Sequence, residues 1–159
     1  MQNNENLLLN HGIITWPGGR IPTQAVKFNT DLSYFSGPEC SSYSLDKQAD
    51  RSITHATVGA SYKCDNALVT GWYRFNSTAG SKMPTYCVAS NKCNTHATGW
   101  LNGAHPTPQD GVVRKTVCFN WSGKCCNWQL SINVRNCGLF YVYRLVKPPN
   151  CQLRFCVTK

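Results

Sequence analysis

Charge is scarce in this chain. Asp, Glu, Lys and Arg make up 14% of its 159 residues, where a soluble domain ordinarily carries about 25%. Long hydrophobic runs are absent: no apolar stretch approaches the roughly 18–20 residues that a membrane-spanning helix needs. No Cys-x-x-Cys occurs, so the usual metal and redox spacings are missing. Cys93-Asn94-Thr95-His96 is half of a zinc pattern without its second half. Internal repeats and low-complexity tracts are lacking. Seven carboxylates and four histidines are a thin supply for acid–base chemistry, and Trp121-Ser122-Gly123 lacks the Gly-x-Ser-x-Gly setting of a nucleophile elbow. Asp46 and Asp50, one helical turn apart, read as a solvated face and not as an acid–base pair. These absences argue against an enzyme and imply no cofactor.

Cysteine is what the chain has in excess: ten, an even number, in 159 residues. Without metal or redox spacing, that count reads as five disulfides formed in an oxidising compartment, which places the protein outside the cytosol. Oxidised cysteines also leave no thiolate nucleophile. Adjacent Cys125 and Cys126 do not suit one another, because a disulfide wants Cα atoms about 5.5 Å apart and chain neighbours sit at about 3.8 Å. They are expected to send two bridges in different directions. Two N-glycosylation acceptors, Asn76-Ser77-Thr78 and Asn120-Trp121-Ser122, agree with a secreted, extracellular location. The start of the chain does not: Met1–Asn6 has no basic region, and Leu7–Leu9 is too short for a signal core. It reads as a mature or truncated product, or as one lacking its first exon.

The net charge of +9 is unevenly placed. Up to Cys64, five basic residues balance five acids; beyond it stand eleven basic residues with Asp65 and Asp110. Such a field attracts anionic partners, among them acidic polysaccharides. The basic residues are dispersed singly, not in Lys/Arg runs, which with the oxidising compartment disfavours nucleic acid. A solvated basic surface is the plainest account of them.

Residues 1–38, rich in Asn and without cysteine, read as a flexible leader, and 39–159 as the domain. Leu130–Val134 and Gln152–Val157 alternate apolar and polar residues, the period of a strand with one face inward. Gly138–Val146, aromatic and β-branched and stopped by Pro148-Pro149, reads as a strand buried on both faces. Leu68–Phe75 and Gly111–Phe119 are further strand candidates, and Asp46–Thr57 suits one short helix. The expected fold is all-β or mostly β: a small disulfide-stapled single domain with long loops.

The order and spacing of Gly71-Trp72-Tyr73-Arg74-Phe75, Cys87, Cys93-Asn94-Thr95, Trp100-Leu101-Asn102-Gly103-Ala104-His105-Pro106, Trp121-Ser122-Gly123-Lys124-Cys125-Cys126-Asn127-Trp128, Tyr141-Val142-Tyr143-Arg144-Leu145 and Pro148-Pro149-Asn150-Cys151 closely resemble the uromodulin-type cysteine-rich module, over residues 38–157. The resemblance implies a secreted β module usually embedded in a longer chain. It implies the pairing Cys40–Cys137, Cys64–Cys151, Cys87–Cys125, Cys93–Cys156 and Cys118–Cys126. It also implies a decoy role, in which the module presents a mannose-rich glycan to microbial adhesins. The family's acceptor positions read Arg144-Leu145-Val146 and Asn102-Gly103-Ala104 here, so glycan presentation falls to Asn76 or Asn120. The expected function is a non-enzymatic recognition or adhesion module that engages or presents glycans on glycoproteins or cell surfaces. The alternative is a matrix component whose basic half binds acidic polymers. Candidate binding residues are Trp100, Asn102, His105 and Arg144. Trp100 is the tryptophan expected to be most exposed, beside the Asn102-Gly103 turn, while Trp72, Trp121 and Trp128 are expected to fill core. His105 is expected to hold loop backbone.

Overall fold

A computed structural model describes residues 37–159. Residues 1–36 of the expected leader lie outside the described residues. Seven strands form one sheet: β1 (Ser44–Asp46), β2 (Gly71–Phe75), β3 (Ala97–Asn102), β4 (Val112–Trp121), β5 (Lys124–Asn136), β6 (Tyr141–Leu145) and β7 (Leu153–Phe155). Their order is β1-β2-β6-β5-β4-β3-β7. The middle of the sheet is antiparallel, while β1 on β2 and β7 on β3 are parallel.

The long hairpin of β4 and β5 is the frame. Its two-residue turn has Ser122 at φ 49° and Gly123 at φ 82°, the double left-handed conformation that matches the twist of paired strands. Alternation along the hairpin decides which side faces in. Val117 and Phe119 on β4 and Ile132 and Val134 on β5 turn to one face, where Phe75, Met83, Leu101, Tyr143, Leu145, Leu153 and Phe155 complete the main core. A second, smaller cluster of Val88, Cys93 and Cys156 gathers Ile53 and Trp100 around it.

The two rims of the sheet meet across one side chain. Arg51 Nε donates to Asp46 Oδ2 of β1 at 2.8 Å, and its Nη1 donates to the Phe155 carbonyl of β7 at 3.1 Å. Asp65 accepts from both Nη1 and Nη2 of the same guanidinium and also from the Phe155 amide. The sheet therefore curls around the main core, and Arg51, 3% exposed, closes it. Burial works against the charge of Arg51, but Asp65 and Asp46 outweigh it and raise its pKa.

All ten cysteines are paired, as Cys40–Cys137, Cys64–Cys151, Cys87–Cys125, Cys93–Cys156 and Cys118–Cys126, with Cα separations from 4.6 to 5.7 Å. These are the pairs that the resemblance implies. Cys125 and Cys126 do point their bridges in different directions, because neighbours on a strand face opposite sides of the sheet.

The mostly β expectation holds, with one difference. Where Asp46–Thr57 suits a short helix, the structure has a single 3-10 turn, Ala49–Arg51. The reason is the clamp: Asp46 belongs to β1 and Arg51 must reach β7, so the segment is pulled into contact with two strands before a helix can form. No described helix is long and apolar enough to cross a membrane.

Candidate functional site

The face of the sheet turned away from the main core is covered at both ends and open in the middle. At one end Thr98 Oγ1 and Asn120 Nδ2 both donate to the Val88 carbonyl, which holds the Cys87–Cys93 loop over β3 and β4. At the other end Arg135 pairs with Glu39, and Arg74 lies 3.9 Å over the Phe140 ring and donates to Tyr43. Between them the strand register sets a row: Arg114 of β4 opposite Asn133 of β5, Asn133 opposite Arg144 of β6, and Arg144 opposite Trp72 of β2. A parallel row places Asn102 of β3 opposite Thr116 and Thr116 opposite Ser131. Arg114, Ser131, Asn133 and Arg144 line a shallow cleft of about 220 Å³.

The sequence-predicted binding residues divide between the two faces. Asn102 and Arg144 are exposed and share this open face. Trp100 is on the same face but is half-buried against the smaller core, its indole N–H donating to the Cys125 carbonyl at 2.8 Å. The expectation that Trp100 is the most exposed tryptophan is corrected: Trp121, at the hairpin tip, is 39% exposed, with His96 edge-on to it and Tyr62 against His96. Trp121 is therefore not core either.

His105 faces the other way. Its ring lies 4.4 Å from that of Tyr141, and its Nε2 is 2.8 Å from the Tyr143 hydroxyl. That hydroxyl accepts the Met83 amide proton, so its own proton goes to His105. Burial, with Lys82 and Lys115 adding repulsion, lowers the His105 pKa to about 4. Burial raises that of Tyr143. His105 thus packs as a neutral ring between elements, a firmer role than holding loop backbone.

Of the two glycan acceptors, Asn76 is exposed directly after β2. Asn120 is 4% exposed, and its Nδ2, the atom a glycan would join, donates to the Val88 carbonyl. The folded domain has no room for a glycan on Asn120, which corrects that expectation.

Sequence reasoning missed the buried ionic network. Asp46 and Asp50 do not form a solvated face: Asp46 is buried against Arg51, and Asp50 pairs with Arg154 and Lys63 at 2.8 and 2.7 Å. Burial works to raise the Asp50 pKa, but hydrogen bonds from Arg154, Lys63 and Asn94 outweigh it and hold the carboxyl below its ordinary range. This network lines the largest described cavity, about 410 Å³. Its charges are matched among themselves, so the cavity offers no unsatisfied ion to a ligand. Among the described residues no group of His, Cys, Asp and Glu is arranged to hold a metal.

The family model of the uromodulin-like cysteine-rich domain matches residues 73–157. The chain belongs to the uromodulin-like domain family. Rat (Rattus norvegicus) uromodulin is 48% identical over 99 residues, covering 62% of this chain and 15% of that protein. The dog (Canis lupus familiaris) pancreatic secretory granule membrane major glycoprotein GP2 is 46% identical over 118 residues, 74% of this chain and 23% of that protein. Its human counterpart is 41% identical over 118 residues, 74% of this chain and 21% of that protein. The chain thus spans less than a quarter of the length of these relatives. As a member of this family with five disulfides it is a secreted, extracellular module.

Proposed function

We propose that this uromodulin-like chain is a non-enzymatic recognition module that engages glycans on glycoproteins or cell surfaces. The observation that carries the reading is the open middle of the outer sheet face, where Asn102, Asn133, Ser131 and Arg144 lie together on a frame of paired strands and disulfides. Side chains on a rigid sheet lose little freedom when they bind, which favours recognition over chemistry. Exposed Asn76 supports the complementary role, presentation of the module's own glycan to a microbial adhesin. Nucleic acid does not suit dispersed cations in an oxidising compartment.

The test is binding of chain made in a secretory host to a panel of neutral and acidic glycans. A fimbrial adhesin is added as a second probe, with and without enzymatic deglycosylation. Selective retention on any glycan class supports engagement; adhesin binding that disappears on deglycosylation supports presentation. Indifference to the whole panel and to the adhesin overturns both roles.

A second reading, a matrix component whose basic half holds acidic polymers, is favoured by the excess of basic residues after Cys64. It predicts heparin retention governed by total charge and not by any one site.

A further inference from the structure

We infer that the cleft between Arg114 and Arg144 is an anion site that takes the sulfate groups of a sulfated glycosaminoglycan; this rests on the glycan-recognition reading and names its substrate class. The argument begins with where the carboxylates go. Among the described residues there are five acidic side chains: Asp46 and Asp65 serve Arg51, Asp50 serves Arg154 and Lys63, Glu39 serves Arg135, and Asp110 caps Thr107. None is left for Arg114 or Arg144, and neither makes a side-chain hydrogen bond or ion pair among the described residues. Both side chains are exposed.

Their placement is fixed by the sheet. Two strand spacings separate them, about 10 Å between backbones, with Asn133 in register between them. Asn133 supplies an amide that both donates and accepts, and Ser131 adds a hydroxyl to the same cleft. Each guanidinium presents a planar fork that suits the oxygens of a sulfate. Trp72 continues the row beside Arg144, which gives a sugar ring an apolar edge next to the charge. Two cations flanking a neutral hydrogen-bonding pair match a polymer that alternates anionic groups with hydroxyls. They match a lone phosphate less well, since it would meet one guanidinium at a time.

The experiment uses the full chain from a secretory host and a heparin-derived oligosaccharide, followed by calorimetry at two salt concentrations. The R114S/R144S variant is compared with K47S/K124S, which removes the same charge from exposed positions elsewhere. The expected result is a loss of about tenfold or more for R114S/R144S, the scale of two charge-assisted contacts. K47S/K124S is expected to stay within about threefold, with unfolding temperatures of both variants unchanged. Equal weakening of the two variants would overturn the site in favour of diffuse charge. Binding of neutral mannose glycans alone would overturn the site while leaving glycan recognition standing; silence toward every glycan would remove both. Equal affinity for phosphatidylserine vesicles, lost in the same variant, would overturn the sulfated sugar as the ligand.

Discussion

His105 and Tyr143 share a hydrogen bond whose direction is set by a third group. The Met83 amide donates to the Tyr143 hydroxyl, so the hydroxyl proton points to His105 Nε2, 2.8 Å away. That nitrogen must be bare, which fixes the neutral tautomer carrying its proton on Nδ1.

A pH dependence follows. The folded pKa of His105 is lowered to about 4 from an ordinary 6.5. A depressed histidine favours the folded state fully above the unfolded pKa, and that stability is lost as pH falls from about 6.5 towards 4. The full shift is worth about 3 kcal/mol; solvent screening of a half-buried ring reduces it to about 1–2 kcal/mol. Melting temperature measured from pH 7 to 4.5 should fall, and H105Q should flatten that decline. An imidazole that titrates near 6.5 by NMR would refute the pairing.

Arg51 is the closure of the sheet. R51M leaves Asp46 and Asp65 buried without their cation, which should cost about 3–5 kcal/mol. Denaturant titration reads it directly. A loss below about 1 kcal/mol would mean that the rims hold together without the guanidinium.

Glycan occupancy should separate the two acceptors. Intact mass from a secretory host should show a glycan that N76Q removes and N120Q leaves unchanged. A glycan found on Asn120 would contradict its bond to Val88. The same spectra, with and without reductant, should differ by ten hydrogens for the five bridges.

The bridges should also differ in worth. Cys40–Cys137 spans 97 residues and Cys118–Cys126 spans 8. Loop entropy gives about 5 kcal/mol for the first and about 2–3 for the second. Paired Cys→Ala variants, compared by thermal unfolding, should rank in that order. A reversed ranking would show that the short bridge does more than restrict the unfolded hairpin.

Much of the sheet is legible in the sequence because its middle strands alternate. Leu130–Val134 and Gly111–Phe119 carry the period of two, and they form the β4–β5 hairpin. The rims are less so. β1 is three residues long with Leu45 exposed, and it pairs in parallel with a strand 25 or more residues further on, which no local pattern announces. Trp100 looks exposed in sequence because its cover, the loop around Val88 and Cys93, comes from elsewhere in the chain. Arg51 and Arg154 look like surface charges, because burial of a cation depends on carboxylates that only folding brings to it. At the open face, Arg144 can be named from sequence; Arg114 cannot, since its place beside Arg144 is a matter of strand register.

The curl of the sheet onto Arg51 bears on how such modules live side by side. Its outermost strands, each three residues long, give a wandering peptide almost no free backbone to zip onto. Copies crowded on a cell coat or packed in a storage vesicle would therefore stay separate bodies and resist fusing into fibrils.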